Sequence, residues 1–192
     1  MGDKAQIHTL EGFAAAFVIV FAVIFGLQAA ATGSPTTLDE EVGTYDAKLT
    51  NDVLLQSNVV GEGETQSQLE SALLNWTRTD GFNGSDDETY YTNSSAVPGR
   101  FGETLGILDG ENITYNIDLV CDGTSHAFVR SGDGGKNVVT SSVTVTLNDD
   151  DTLADGTRLD NAVSYPCDDM DEDGVDTNLY NVVEVRITAW RG

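Results

Sequence analysis

The chain is short of cations. It carries 9 Lys and Arg against 32 Asp and Glu, a formal net charge of −23. A nucleic-acid partner requires a basic surface that displaces counterions from phosphates, so no nucleic-acid binding is expected. Histidine is limited to His8 and His126, and cysteine to Cys121 and Cys167. That set does not furnish a Cys/His zinc cluster of the usual spacing. There is no glycine-rich phosphate loop, no nucleophile elbow and no metal-catalytic triad. His126 lies near Ser125 and Asp122 along the chain, but neighbours in sequence do not make a triad. No enzymatic activity and no catalytic residue is expected.

What is abundant is negative charge, with much Thr and Gly and little Lys. This is the composition of an extracellular protein that stays hydrated in strong brine. Molar salt shortens electrostatic range to about 3 Å and damps the self-repulsion of such a surface. The charge as a whole reads as solvation rather than as a site.

The amino-terminal end has the opposite character. A short polar start, Met1-Gly2-Asp3-Lys4-Ala5, leads through Gln6-Ile7-His8-Thr9-Leu10-Glu11 into an uncharged apolar run at residues 12–27, fading through Gln28-Ala29-Ala30-Ala31. Residues 12–31 would span about 30 Å as a helix, the thickness of a bilayer core. A secretory signal peptide has a related layout, and Ala29-Ala30-Ala31 resembles its cleavage site. Lys4 favours a cytoplasmic amino end with the acidic remainder outside. Glu11 in the first turn, behind Thr9 as a cap, would sit well against a helix dipole; buried, it would need a partner or lose its charge.

Beyond Gly33-Ser34-Pro35, Leu38, Val42, Tyr45, Leu49 and Val53 recur at helical spacing, and Gly61 and Gly63 end that pattern. Residues 66–76 read as a short helix with Leu69, Leu73 and Trp76 on one side. Residues 80–99 read as a long surface loop. Strand patterns follow at residues 112–120, 127–130, 137–147 and 182–190, with Ser131-Gly132-Asp133-Gly134-Gly135 as hairpin chemistry. Consecutive short strands imply antiparallel pairing. The fold class expected is α+β: a long N-terminal hydrophobic helix packed on an antiparallel β-sheet head. The segments are a leader at 1–6, a helix at 7–60 including a membrane or core segment at 12–31, and an extracellular β-rich head at 61–192.

Several residues are candidates for modification or ligation. Cys121 and Cys167, outside the membrane, read as a disulfide worth about 4 kcal/mol in chain entropy, with two buried free thiols as the alternative. Four sequons for N-glycosylation stand at Asn75, Asn83, Asn93 and Asn112; Asn83 and Asn93 fall in the expected loop, whereas Asn112 opens a strand. Asp169, Asp171, Asp173 and Gly174 match the opening of a calcium loop, D-x-D-x-D-G. The twelfth position of that loop is Tyr180 rather than the bidentate Glu of an EF-hand, and a solvated acidic loop is the competing reading. No cofactor other than calcium is implied.

Three pieces of the chain carry a family resemblance: Gln6-Ile7-His8-Thr9-Leu10-Glu11-Gly12-Phe13 ahead of the apolar run, Val145-Thr146-Leu147-Asn148-Asp149-Asp150-Asp151, and Leu179-Tyr180-Asn181-Val182-Val183-Glu184-Val185-Arg186 ending in Trp190. They resemble an uncharacterised haloarchaeal pilin-like family related to type IV pilins. The resemblance implies removal of a leader by a prepilin peptidase, after Ala5 or between Gln6 and Ile7, which makes Glu11 the sixth or fifth mature residue. Neither position offers the usual glycine before the cut. It further implies assembly by an ATPase and a platform protein, with Glu11 meeting the amino terminus of a neighbouring subunit. The partners would be other pilin subunits, held through the amino-terminal segment, and the membrane before assembly. A permanently membrane-anchored acidic surface protein is the alternative.

Overall fold

The computed structural model describes residues 38–82, 89–170 and 178–191. Four strands form one antiparallel sheet: β1 (Ile113–Cys121), β2 (Thr124–Arg130), β3 (Val139–Asn148) and β4 (Leu179–Arg191), in the order β2-β1-β4-β3. Among the described residues three α-helices accompany them: α1 (Leu38–Ser57), α2 (Gln68–Leu73) and α3 (Gly99–Gly110). The chain divides into two compact units, Met1–Glu40 and Glu41–Gly192. The described residues of α1 beyond that boundary therefore belong with the sheet.

The expected fold needs correction on this point. Among the described residues no helix is long and apolar enough to cross a membrane. The sheet is packed by short helices instead of a long hydrophobic one. The reason is visible in α1, which carries Asp39, Glu40, Glu41, Asp46, Lys48 and Asp52. The apolar run at 12–31 lies outside the described residues.

The face that α1 buries keeps Leu49 and Val53 of the expected apolar stripe but not Tyr45. Tyr45 is 50% exposed, while Asp46, Thr50, Val53, Leu54 and Ser57 are buried. Polar residues can line this face because the helix satisfies them itself. The Thr50 hydroxyl donates to the Asp46 carbonyl at 2.8 Å, and the Ser57 hydroxyl to the Val53 carbonyl at 2.7 Å. Each hydroxyl is thereby buried without an orphaned hydrogen-bonding group.

α2 begins in a capping box. The Ser67 hydroxyl oxygen accepts from the Glu70 N–H at 3.0 Å, and the Glu70 carboxylate accepts from the Ser67 N–H at 3.3 Å. Two of the four unpaired amides at the helix start are thus satisfied. Partial burial raises the Glu70 pKa against the lowering effect of that backbone bond.

α3 occupies a stretch with no expected helix. Gly99, Gly102, Gly106 and Gly110 depress its propensity and mask the period of Phe101, Leu105 and Leu108, all fully buried. Gly102 is required by space: a Cβ there would lie 2.1 Å from the Val97 carbonyl oxygen and 2.7 Å from that of Ser94. The glycine lets α3 rest directly on the preceding loop, so packing outweighs propensity.

In the sheet, β1 and β4 form the central pair. Tyr115 faces Ala189, Ile117 faces Ile187 and Leu119 faces Val185. β3 continues the same inner layer, with Val143 opposite Val185 and Val145 opposite Val183. These side chains are almost fully buried. Complete burial of a Leu, Ile or Phe is worth about 2 kcal/mol relative to exposure. The outer layer is polar, in the period-two alternation of a sheet with one wet face.

β1 and β2 are joined by Asp122-Gly123, at φ of 50° and 76°. Two central residues at positive φ match the twist of a tight hairpin, and Asp-Gly is well suited to it. The expected hairpin at 131–135 is corrected: it links β2 to β3, which lie at opposite edges. Its glycines serve a different purpose, because a Cβ on Gly135 would fall 2.0 Å from Cδ1 of Trp190. The loop crosses the outer layer against that indole.

Residues 89–99, expected as surface loop, contribute to the core. Tyr91 is 1% exposed and packs edge-on to Phe128 at 5.5 Å between ring centroids. Phe82 adds a second edge-to-face contact with Phe128 at 4.8 Å. Such pairs contribute about 1 kcal/mol beyond their buried area.

α1 is tied to the sheet by one ion pair. Arg191 donates through Nε and Nη2 to both oxygens of Asp46, at 2.8–3.1 Å, and through Nη1 to the Glu111 carbonyl at 2.9 Å. The Asp46 side chain is 6% exposed. Hydrogen bonding to Asp46 raises the Arg191 pKa further. Asp46→Ala should cost about 2 kcal/mol in denaturant unfolding, because it removes charge-assisted bonds and strands the guanidinium. Lys48→Ala, on the exposed side of α1, should change stability by less than about 0.5 kcal/mol.

Burial, reinforced by Asp169, Asp168 and Asp149, pushes the Tyr180 phenol up to about 12. Burial raises Tyr165, Tyr115 and Tyr91 as well. An acid whose folded pKa exceeds its unfolded value stabilises the fold below the unfolded pKa, about 10 for tyrosine. That contribution is lost as pH rises through 10 toward 12. Tyrosinate absorbance should therefore appear late and together with loss of near-ultraviolet circular dichroism. Ionisation of all the tyrosines near pH 10 with the fold intact would contradict this.

Candidate functional surface

Cys121 and Cys167 are bonded, with Cα atoms 5.7 Å apart and a separation of 46 positions in sequence. The bridge joins the end of β1 to the segment leading into β4. Closing a loop of that length contributes about 4 kcal/mol on the chain-entropy model. Around it, the Tyr180 hydroxyl donates to the Cys167 carbonyl at 2.7 Å, and Asn181 Nδ2 to the Asp168 carbonyl at 2.6 Å. Cys167 and Asp168 are thus held to β1 by the bridge and to β4 by these hydrogen bonds. Tyr180, which occupies the position where an EF-hand has its glutamate, is committed to this role.

Of the candidate calcium ligands, Asp169 is described and Asp171 and Asp173 lie outside the described residues. Among the described residues no group of three or more His, Cys, Asp or Glu side chains converges as a metal site would. The processing candidates Ala5, Gln6, Ile7 and Glu11 also lie outside the described residues, as does Asn83.

The three described sequons differ in their surroundings. Asn75 is half-buried, and its Nδ2 donates to the Tyr91 hydroxyl at 2.7 Å while that hydroxyl donates to the Asn75 carbonyl at 3.3 Å. A sugar on this nitrogen would crowd the bond to the Tyr91 hydroxyl beside a buried ring. Asn93 is exposed and its Oδ1 accepts from the Ala96 N–H at 2.9 Å, capping a short 3₁₀ turn. Its nitrogen can carry a substituent while the oxygen continues to cap. Asn112 is exposed in the turn before β1, at φ 55°, a conformation that asparagine tolerates better than most residues. Asn93 and Asn112 border one open concavity with Asp109, Thr114 and Ser131. The Asp109 carboxylate accepts from the Ser94 hydroxyl.

A second cleft is lined by Trp76, Arg78, Phe82, Ser125, His126 and Tyr165. Its aromatic rings are spent on one another: Trp76 and Tyr165 meet edge-on at 5.7 Å, and both are 5% exposed. They present little face for a ligand to stack on. Ser125 and His126 are successive residues of β2, so their side chains leave opposite faces of the strand. They do not form a nucleophile–base pair.

Sequence reasoning missed the Asp46–Arg191 pair and the Tyr91–Asn75 pair. Both join residues far from adjacent in the chain, and the one local sign was Asp46, a charged residue inside a helix.

The fold is thus a small α+β domain, its antiparallel sheet stapled by one disulfide. Residues 4–189 match the model of a family of unknown function (DUF7288), and the chain belongs to that family. No curated protein matches the chain. No solved structure matches it either.

Peptide mass spectrometry on protein from native-host cells should find glycan at Asn93 and Asn112 and unmodified Asn75. Occupancy at Asn75 equal to that at Asn93 would contradict the role given to the Tyr91 hydrogen bonds.

Proposed function

We propose that this chain is a structural subunit, a pilin or pseudopilin and a minor rather than a major one, of a type IV pilus-like filament on a haloarchaeal surface. The observation that carries the reading is the pairing of Cys121 with Cys167 in the unit that follows a span-length, charge-free amino-terminal run. A structural disulfide is typical of an oxidising compartment, which supports an acidic domain outside the cell. The run at 12–31 would hold the precursor in the membrane, amino end inside. A prepilin peptidase would remove the leader at Ala5 or Gln6. An ATPase and a platform protein would then bring subunits together through the amino-terminal segment, with Glu11 at their contact. The charge of −23 keeps the exposed domain hydrated in brine.

One observation favours a second reading. The residues before the two candidate cuts are Ala5 and Gln6, not glycine. If the leader is retained, the chain is a permanently anchored acidic surface protein that binds a partner or cation and does not assemble.

Mass spectrometry of the amino terminus, on membrane and sheared surface fractions of native-host cells, separates the two. The filament reading expects a mature end at Gln6 or Ile7 and material in the sheared fraction. An intact Met1 or Gly2 end confined to the membrane overturns it.

A further inference from the structure

The two edges of the sheet are treated differently. On the β2 side, Tyr91 seals the edge: its N–H donates to the Phe128 carbonyl at 2.9 Å and its carbonyl accepts from the Arg130 N–H at 2.8 Å. The register of that strand also shifts between Ile117 and Asp118, and Arg130 there is paired with Asp118. Covering, a bulge and charge are the usual protections of an exposed edge.

Among the described residues β3 has none of them along residues 139–143, its register shift falling at the far end, between Leu147 and Asn148. Its pairing with β4 is regular from Val139 to Leu147. It contains no charge and no proline, and residues 137–148 form the longest charge-free stretch after Asp39. Among the described residues, two side chains bond to its backbone: at the far end the Asn148 N–H donates to the Asp151 carboxylate at 2.7 Å, and Asn58 Nδ2 donates to the Thr144 carbonyl at 3.1 Å. That bond also fixes direction. The Thr144 carbonyl points away from β4, so the amides and carbonyls of Thr140 and Ser142, in phase with it, point outward too. The end of α1 that Asn58 brings alongside is itself uncharged from Val53 to Gly61 and exposes Leu55, Val59 and Val60, at 51%, 63% and 50%.

We propose that the β3 edge, with the uncharged end of α1 beside it, binds a second copy of this chain, the two β3 strands pairing antiparallel across a two-fold axis. Charge decides the occupant. Two copies of a −23 chain repel over most of their surface, and this strip is where they can meet without opposing carboxylates. β3 against β3 sets Thr, Ser and Val opposite Thr, Ser and Val. An isologous contact of this kind makes one continuous sheet from the two four-stranded ones. Asn58 closes the edge at Thr144, so pairing centres on residues 139–143. The contact does not depend on leader removal or on a filament.

Cysteine crosslinking tests the proposal in the full chain, in native-host membranes at native salt. Cys121 and Cys167 are bonded to each other, so an added cysteine is the sole free thiol. Thr140→Cys, Ser141→Cys and Ser142→Cys place it about the centre of the open stretch, and Ser125→Cys on β2 is the control. Paired strands bring facing Cα atoms to about 4.5–5.5 Å, within disulfide reach. The expected result is a dimer of twice the chain mass, several-fold above the control, at the position nearest the axis. Yields at all three positions equal to the control, or an adduct with a different protein, overturn the proposal. Hydrogen exchange on the unaltered chain in detergent gives a second readout free of folding defects. Exchange at residues 139–143 should slow by about tenfold as protein concentration rises, with β2 unchanged. Concentration-independent exchange at β3 overturns it.

Discussion

The registration of β1 against β4 is the constraint on which the rest of the molecule depends. The two strands are far apart in sequence, yet Ile117 must face Ile187 and Leu119 must face Val185 for either to be buried. A slip of one residue would turn Tyr115, Ile117 and Leu119 to water and Asn116 and Asp118 to the core. Every other element is placed by this pair. β2 follows β1 through a two-residue turn, and β3 extends the inner layer from β4. α1 is attached where β4 ends, through Arg191.

Such a non-local pairing carries a loop-closure cost, and the chain offsets it covalently. Cys121 ends β1 and Cys167 precedes β4, so their bond shortens the effective connection between the central strands. The hydrogen bonds of Tyr180 and Asn181 to the Cys167 and Asp168 carbonyls continue the same fastening. The Asp46–Arg191 pair closes the other end of the sheet with one of the chain's few cations. An ion pair suits this role in strong salt because Asp46 is buried and its Coulomb partner is in contact, within any screening length.

These fastenings bear on the proposed function. A domain held by a disulfide, a buried ion pair and a self-satisfied helix face suits the extracellular setting proposed for it. On the proposed pairing, its acidic surface would keep it apart from its neighbours except along β3 and the end of α1. The distribution of charge, more than any cleft, is what gives this surface a direction.

Much of the strand content was legible. The alternation at residues 112–120 and 182–190 survives as the burial pattern of β1 and β4, because one wet face and one dry face impose a period of two. The short helix near Leu69 and Leu73 was legible for the same reason at a helical period. α3 was not, since its four glycines signal a loop until Phe101, Leu105 and Leu108 find a surface to cover. Nor was the face of α1, where hydroxyls bonded to their own helix replace part of the apolar stripe. By itself the sequence determined the charge balance, the two cysteines, the sequons and the alternating strands, all of them local or compositional properties. Only the tertiary structure decided which polar groups are buried, that β2 and β3 lie at opposite edges, and which edge is left open. Those outcomes depend on contacts between residues dozens of positions apart, and no local pattern encodes the partner.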